Sequence, residues 1–313
     1  DASQVASLGT AGPQVASLDA KAMALGYDDK SLAPPAYGPG LAFWARGYGA
    51  WGDFDGNLNA ASASRDLGGI VSGLDARVSG SWRLGFATGY SNSDVSVAAR
   101  HSGADVESFH LAGYGGGMAG PVALRGGGAW SWNEVDTSRA VIFPGFFERE
   151  KTSYDADTGQ IFGEVAYPIV RGRTALEPFA GLAYVSIDPD TFRENGALAG
   201  LRGSGDDLDV GYSTLGLRAA TTMAWNSVTV TPHVSAAWQH AFDDVRTGAA
   251  LAFASTGIGF TVTGVPLAED TALIEAGLDL GFGPYTTAGV SYSGQFGDNV
   301  EDNAVQGRFA WRF

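Results

Sequence analysis

Side chains that commonly serve in catalysis or metal binding are sparse in this sequence. The four histidines, His101, His110, His233 and His240, follow no metal-ligand spacing. There is no cysteine, which excludes a thiol nucleophile and a cysteine-based zinc site. No Gly-x-Ser-x-Gly sequence marks a hydrolase nucleophile. We therefore expect no catalytic residue, no metal and no cofactor.

Two weaker motifs have simpler explanations. Residues 115–120 contain the Gly-x-Gly-x-x-Gly spacing of dinucleotide sites, but they end a predicted strand and open no helix. The segment Asp53–Asn57 resembles a calcium loop whose glycine stands at the wrong position. Asp206, Asp207 and Asp209 form a second acidic loop. Both are expected to be solvated loop tips, with a divalent-cation site as the alternative.

Composition limits the class of protein further. The chain has 313 residues and a net charge of −15, which argues against nucleic acid as a partner. One long uncharged stretch, Thr247–Ala268, is long enough for a membrane helix of about 20 residues. Four glycines interrupt that stretch, and we reject the helix. No signal peptide is recognisable, and we expect the natural chain to extend upstream of Asp1.

Many segments alternate between apolar and polar side chains, with the period of two that is typical of β-strands. Near the end of the chain Val305, Phe309 and Trp311 fall on one face, and Arg308 and Arg312 fall on the other. Segments of about ten alternating residues separated by turns are the signature of a transmembrane β-barrel. Such a barrel satisfies every backbone hydrogen bond internally.

A soluble β-sandwich would also alternate, but two features favour the membrane barrel. One face of almost every segment is uncharged. Aromatic residues also crowd the segment ends, as in the girdles at the two membrane interfaces. The tryptophans assigned to these girdles are Trp44, Trp51, Trp82, Trp130, Trp132, Trp225, Trp238 and Trp311. We predict an all-β fold, a 12-stranded antiparallel transmembrane β-barrel with an N-terminal α-helix inside the pore.

The strand count and the loop lengths follow from the same pattern, with ten or fourteen strands as alternatives. The twelve segments are 41–54, 66–80, 82–98, 104–119, 121–138, 152–171, 173–188, 207–225, 227–243, 269–283, 285–298 and 302–313, with ends uncertain by about two to four residues. Tight turns are expected at Gly80, Gly120, Gly172, Asn226 and Pro284. Long connections are expected at Phe54–Arg65, Arg139–Lys151, Pro189–Asp206 and Asp244–Ala268. Outer-membrane barrels have this asymmetry, with the short turns in the periplasm.

Charges of both signs fall on the second face of the predicted strands. An arginine facing lipid at mid-membrane costs about 2–4 kcal/mol, so these side chains are expected to face a hydrated bore. The alternative for each is that it only supports the barrel wall. The predicted pore-lining residues are Arg46, Asp75, Arg77, Arg83, Arg125, Glu164, Glu177, Arg218, Glu275, Asp279, Arg308 and Arg312.

Residues 1–37 have a different pattern and are assigned as a linker, with the barrel spanning 38–313. A helix is predicted at about 13–25, where apolar side chains recur at helical spacing. It would be about 20 Å long, close to the apolar height of a barrel, about 25 Å. A proline-rich extended tether follows; a periplasmic or disordered leader is the alternative. The residues assigned to this pore helix are Val15, Leu18, Ala22 and Leu25.

Six ordered stretches carry a resemblance to a known family. They are 43–52 (FWARGYGAWG), 82–91 (WRLGFATGYS), 177–185 (EPFAGLAYV), 275–279 (EAGLD), 292–297 (YSGQFG) and the terminal 311–313 (WRF). Together they resemble the C-terminal translocator domain of monomeric (type Va) autotransporters of Gram-negative bacteria. The resemblance covers roughly residues 38–313.

The resemblance implies a monomeric barrel in the bacterial outer membrane, among lipid and lipopolysaccharide, that exports its own N-terminal passenger and is not an enzyme. It implies insertion by the outer-membrane barrel assembly machinery, which would read Phe309, Trp311 and Phe313 as the assembly signal. In one subgroup a linker asparagine cleaves its own backbone; no asparagine precedes Asn57, so we do not expect that reaction. The alternatives are a constitutive porin or substrate channel and an outer-membrane hydrolase.

Overall fold

The computed structural model describes residues 40–56, 61–196, 198–205, 207–242, 248–263 and 268–313. In these residues the chain forms a closed antiparallel barrel of twelve strands, as predicted. The strands are β1 Leu41–Phe54, β2 Ala63–Ser79, β3 Trp82–Val97, β4 Ser102–Ala119, β5 Val122–Phe143, β6 Phe146–Ala166, β7 Thr174–Pro189, β8 Leu208–Thr221, β9 Val228–Phe242, β10 Asp270–Phe282, β11 Thr286–Gly297 and β12 Val300–Arg312.

Pairing of the last strand with the first closes the barrel. β12 runs antiparallel to β1, from Ala42 opposite Arg312 to Phe54 opposite Val300. The seam continues past the strand ends, because the Phe313 amide donates to the Leu41 carbonyl at 3.0 Å. Every other barrel strand pairs with its neighbours in the chain. Within the closed wall each strand pairs on both sides, so its backbone hydrogen bonds are satisfied there.

Tight turns connect the strands at one end of the barrel, where the sequence predicted them. Each turn contains a residue with positive φ, a conformation that glycine and asparagine adopt with little strain. The strands at this end are continued by two short pieces, Ile169–Arg171 and Met223–Trp225. The positive-φ turn residues are Gly80 (53°), Gly120 (64°), Gly172 (62°), Asn226 (54°) and Gly283 (68°).

The expectation of a long loop at Arg139–Lys151 was wrong. β5 extends to Phe143 and β6 begins at Phe146, so only Pro144 and Gly145 connect them. Arg139 and Glu150 face each other in the extended ladder. The Phe143 and Phe146 rings stack at 4.6 Å next to the turn. The charged residues here lie on strands that project beyond the apolar part of the wall, which is why their composition resembled a loop.

Two other long connections form a small antiparallel sheet at the same end of the barrel. Its strands are Phe192–Arg193, Leu201–Gly205, Gly248–Phe253 and Gly259–Thr263. Phe192, Leu201, Ala249 and Leu251 are its buried core. The uncharged stretch that could have been mistaken for a membrane helix therefore contributes a β-hairpin. Among the described residues, no helix is long and apolar enough to cross a membrane.

Exposure alternates along the barrel strands and divides the wall into two faces. The crowded face carries side chains with low exposure, such as Glu275 at 5%, and the exposed face carries apolar ones, such as Ile274 at 48%. Seven of the eight girdle tryptophans lie on the exposed face. The assignment of Trp44 was wrong: it lies on the crowded face, where its indole donates to the Tyr114 hydroxyl at 2.5 Å.

Candidate functional site

A quartet of charged side chains on four neighbouring strands forms the centre of the candidate site. Arg125 on β5 donates to Glu164 on β6 at 2.6 Å and to Glu177 on β7 at 3.0 Å. Arg218 on β8 donates to the same two carboxylates, at 2.8 and 3.1 Å. Its guanidinium also lies 3.7 Å from the centre of the Phe179 ring. Each arginine therefore bridges both carboxylates, and the formal charges of the quartet cancel.

Further pairs lie on the crowded face of the strands on either side. Arg83 on β3 donates to the carboxylate of Asp75 on β2. Arg308 on β12 donates to Asp279 on β10 at 2.6 Å, and Arg46 on β1 is close enough to interact electrostatically with Arg308, Glu275 and Asp279. His233 on β9 approaches Glu275 at 3.8 Å and Asp279 at 3.5 Å.

These groups form one belt around the barrel. Arg125 lies directly opposite Glu164, Glu177 opposite Arg218 and Arg308 opposite Arg46 in the strand register. The belt is defined as Arg46, Asp75, Arg83, Arg125, Glu164, Glu177, Arg218, Glu275, Asp279 and Arg308. Three other pairs of charged residues are separated by one strand, on which an uncharged residue lies in register with both. Gly116 lies between Arg83 and Arg125, Ser235 between Arg218 and Glu275, and Gly289 between Asp279 and Arg308.

The belt borders open space. A cavity of about 160 Å³ is lined by Arg125, Glu164 and Arg218 together with Gly163 and Gly181. The quartet side chains are between 3% and 22% exposed, so they are largely buried but still accessible to solvent. Charged groups that are both paired and partly hydrated avoid most of the cost of burying a charge.

Two of the twelve predicted pore-lining residues lie outside the belt. Arg77 is half-buried opposite Arg83, close to the turn at Gly80. Arg312 is also half-buried, and its backbone amide donates to the carbonyl of Tyr285 near the last tight turn. Both therefore lie at the short-turn end.

The remaining predicted residues divide between two places. The predicted pore helix, with Val15, Leu18, Ala22 and Leu25, lies outside the described residues. Phe309, Trp311 and Phe313 lie at the end of the chain and are between 43% and 49% exposed.

Sequence reasoning missed polar groups nearer the long-loop end. Arg65 donates to Asp302 across the β12–β1–β2 seam. Arg139 forms a two-point ion pair with Glu194, at 3.0 and 2.5 Å, which fixes the loop after β7 to the β5–β6 hairpin. Arg139 is an even number of positions from Arg125, so a period of two places both on one face of β5; this was the signal that could have placed Arg139 on that face.

His110, on β4, is a buried histidine. It is 1% exposed, and its two ring nitrogens lie 2.8 Å from the Ser91 hydroxyl and 2.7 Å from the Ser131 hydroxyl. Its neighbours on β3 and β5 therefore saturate the imidazole, as expected for a structural histidine. In the described part of the chain, no three histidine, aspartate or glutamate side chains are placed to hold a metal ion.

Two carboxylates at the long-loop end have perturbed acidity. Glu150 is fully buried, and burial, followed by the charges of Glu148 and Glu194, raises its pKa. The nearby Asp207 charge is the main reason that the pKa of Asp188 is also raised. Both groups lie beyond the apolar part of the wall, where strands and loops project from the barrel.

A closed antiparallel barrel with an apolar exposed face and a charged crowded face defines the class as a β-barrel of the bacterial outer-membrane type. Residues 43–293 match the autotransporter beta-domain family, and the chain belongs to this family. It is a translocator domain, the part of an autotransporter that serves export of the N-terminal passenger.

Solved structures of translocator domains share the fold at low sequence identity. The translocator domain of NalP from Neisseria meningitidis aligns with a TM-score of 0.78 and 17% identity, covering 100% of this chain and 99% of that one. The beta domain of Bordetella BrkA aligns with a TM-score of 0.66 and 18% identity, covering 88% and 100%. The transport unit of AIDA-I from Escherichia coli gives 0.65 and 15%, covering 94% and 97%.

Sequence relatives extend well beyond the matched region. Two proteins of Serratia marcescens, each named extracellular serine protease, are 36% and 35% identical over 270 residues. These residues are 86% of this chain but 26% of either relative, so the chain spans about a quarter of the curated relatives it matches.

Proposed function

We propose that the barrel is a hydrated conduit for the passenger and that its crowded face lines the bore. The observation that carries the proposal is the belt: ten charged side chains on neighbouring strands, most of them in ion pairs, beside an open cavity. A packed protein core would exclude such a set because burying charge is costly. All twelve predicted pore-lining residues are assigned to this bore, with Arg77 and Arg312 at its short-turn rim.

The exposed face is assigned to the outer-membrane lipid and lipopolysaccharide. Its large apolar side chains include Ile70, Phe86, Ile161 and Leu182, each more than half exposed. At about 25 cal/mol per Å² of apolar surface, contact with hydrocarbon rather than water favours insertion strongly. The exposed tryptophans near the strand ends support the same placement, since indoles favour membrane interfaces. The barrel is proposed to function as a monomer, because its closed sheet leaves no edge for a second copy.

Residues 1–37 are proposed as the linker and 38–313 as the barrel domain. Barrel strand β1 begins at Leu41 at the short-turn end. We propose that the preceding chain enters the bore from this end. We assign the helix at about 13–25 to the bore, where it would occupy the channel after export. Deletion of residues 1–37 should raise single-channel conductance in planar bilayers. Equal conductance of the deleted and full-length proteins would contradict the plug.

The passenger in cis is the proposed cargo, and the chemistry of a complete protein is assigned to the passenger rather than to this domain. We assign insertion to the outer-membrane barrel assembly machinery, acting through the aromatic end of β12. The protease names of the Serratia relatives describe proteins about four times as long as the matched region. We therefore propose that this domain itself catalyses no reaction and needs no cofactor.

Export can be tested with a reporter passenger fused before Asp1. Intact cells should display the reporter to added protease, and the barrel should remain in the outer-membrane fraction. The control carries proline in place of Gly47 at the centre of β1, where it removes a ladder hydrogen bond of the seam. Retention of the reporter inside cells with a correctly assembled barrel would refute the conduit. High conductance by the full-length protein without export would favour the porin alternative.

A further inference from the structure

The charges of the belt cancel, and the molecule as a whole does not share this balance. The whole chain has 34 acidic and 19 basic residues. The belt has five arginines and five carboxylates, joined by strand register and by ion pairs. A ring that only needed water-compatible side chains could use serine, threonine and glutamine, so its balanced composition calls for a separate explanation.

The geometry fixes the charges in place. Each quartet arginine contacts both carboxylates, and the Arg218 guanidinium is also held against Phe179. Gly289 leaves space for the Asp279–Arg308 pair, since a Cβ at this position would collide with both side chains. Fixed and paired charges do not turn toward a passing chain, so the field of the belt in the bore stays close to that of a neutral ring.

We propose that the belt is the element that makes passage through the bore indifferent to the sign of charge on the exported polypeptide. The inference rests on the proposed conduit function and adds which residues govern what can pass. A passenger contains stretches of both signs, and a ring with net charge would repel one kind and retain the other. At the belt, balanced charge keeps the bore hydrated without selecting.

Removing one sign from the quartet should create selectivity. The double substitution Glu164→Gln and Glu177→Gln leaves a net charge of about +2, and Arg125→Gln with Arg218→Gln leaves about −2. In water, a net charge of two at about 10 Å from a unit charge changes a rate about fourfold. The first variant should slow export of lysine-rich tracts, and the second should slow export of aspartate-rich tracts.

The experiment uses the full chain with two unstructured reporters before Asp1, one with an aspartate tract and one with a lysine tract. Surface exposure is followed in time by protease accessibility. The ratio of the two export rates in each variant is divided by the ratio in the unmodified protein. This normalised ratio should move at least about fourfold in opposite directions in the two double variants.

Two further variants separate charge balance from mechanical support. Replacing all four quartet residues by glutamine removes every ion pair of the quartet but restores its neutrality, so the normalised ratio should return to about one. The pair Glu107→Gln and Glu134→Gln makes the same charge change on the exposed face, where the two residues lie opposite each other. This control should leave the ratio unchanged. Heat-modifiable migration on gels checks that each barrel assembles.

The outcomes distinguish the inference from the proposed function. Export by the unmodified protein, with the same ratio in both assembled double variants, would overturn the belt inference alone. A ratio that shifts most in the all-glutamine variant would also overturn it, because lost support would then be the cause. Failure of the unmodified protein to export either reporter would overturn the conduit itself. If either double variant fails to assemble, the opposite double variant and the all-glutamine variant still decide the question.

Discussion

Gly85 on β3 allows a close aromatic contact that should fail when a side chain is added. A Cβ at Gly85 would lie 2.5 Å from Cζ of Tyr114 and 2.7 Å from Cβ of Asp75. The Tyr114 ring cannot simply swing away, because its hydroxyl accepts the hydrogen bond from the buried Trp44 indole. We predict that Gly85→Val destabilises the barrel, although valine is the better strand residue.

The magnitude follows from opposing contributions. Replacing glycine by valine in a strand favours folding by roughly 1 kcal/mol. Overpacking against Tyr114 and Asp75 costs about 1–3 kcal/mol. Loss of the buried Trp44–Tyr114 hydrogen bond costs about 1–3 kcal/mol if the indole is left unsatisfied. The net expectation is a loss of about 1–5 kcal/mol in the free energy of unfolding.

Gly113→Val is the matched control. Gly113 lies on β4 on the exposed face, and a Cβ there would meet no atom within 4 Å. It gains the same strand preference without the clash, so it should be neutral or stabilising. Urea titration of the refolded barrel in detergent micelles gives the free energy for each variant. In the double variant Gly85→Val/Tyr114→Ala, the clash has been removed. Its loss in the free energy of unfolding should therefore be smaller than the sum of the two single losses, by about 1–3 kcal/mol.

Equal stability of the Gly85 and Gly113 variants would refute the steric argument. Strict additivity in the double variant would refute it as well, since it would mean that Tyr114 is not the group that valine displaces. A correctly assembled Gly85→Val barrel that is more stable than the parent would mean that strand preference outweighs packing at this position.

Two further predictions concern the ends of the barrel wall. Since the folded-state pKa of Glu150 is raised, its contribution to loop stability is complete below the unfolded-state value near 4.5 and is lost as pH rises through the folded value. The Leu198 and Ala199 amides donate to Glu148, so their hydrogen exchange should accelerate with rising pH by more than the intrinsic exchange rate does. The Glu150→Gln variant should lose this additional acceleration. An equal additional acceleration in the variant would contradict the prediction. Replacing Phe309 and Trp311 by serine should leave the chain unassembled, as judged by lost heat-modifiable migration, and normal migration would contradict the assembly signal.

The charged face was predictable from sequence because alternation fixes which side chains share a face. Arg218 and Glu164 could be placed on the same side of the wall once the period of two was recognised. Their contact could not, because it depends on the stagger between strands that are not neighbours in the sheet. Arg125 reaches Glu177 across the whole width of β6, and only the curvature of a closed barrel brings them within hydrogen-bonding distance.

Errors arose where composition was used in place of period. The charged segment 139–151 was assigned to a loop, although Arg139 continues the alternation of β5 and pairs with Glu194. Trp44 was assigned to a girdle because tryptophan is common at interfaces, but its position in β1 places it on the same face as Arg46. In both cases the face dictated by the strand was a better guide than the residue type.

The start of β1 and the end of β12 lie next to each other in the barrel wall. The Leu41 amide donates to Phe313 at 3.3 Å, and the Arg77 amide donates to Gly40 at 2.7 Å. A short peptide joining Phe313 to Gly40 would therefore give a circularly permuted protein with the same wall. If its new ends were opened in the turn at Pro144 and Gly145, a cargo attached there would begin beside the projecting hairpins. Such a permutant would separate assembly of the barrel from passage of a cargo through it. In the natural order of the chain, by contrast, a cargo is attached before the first strand.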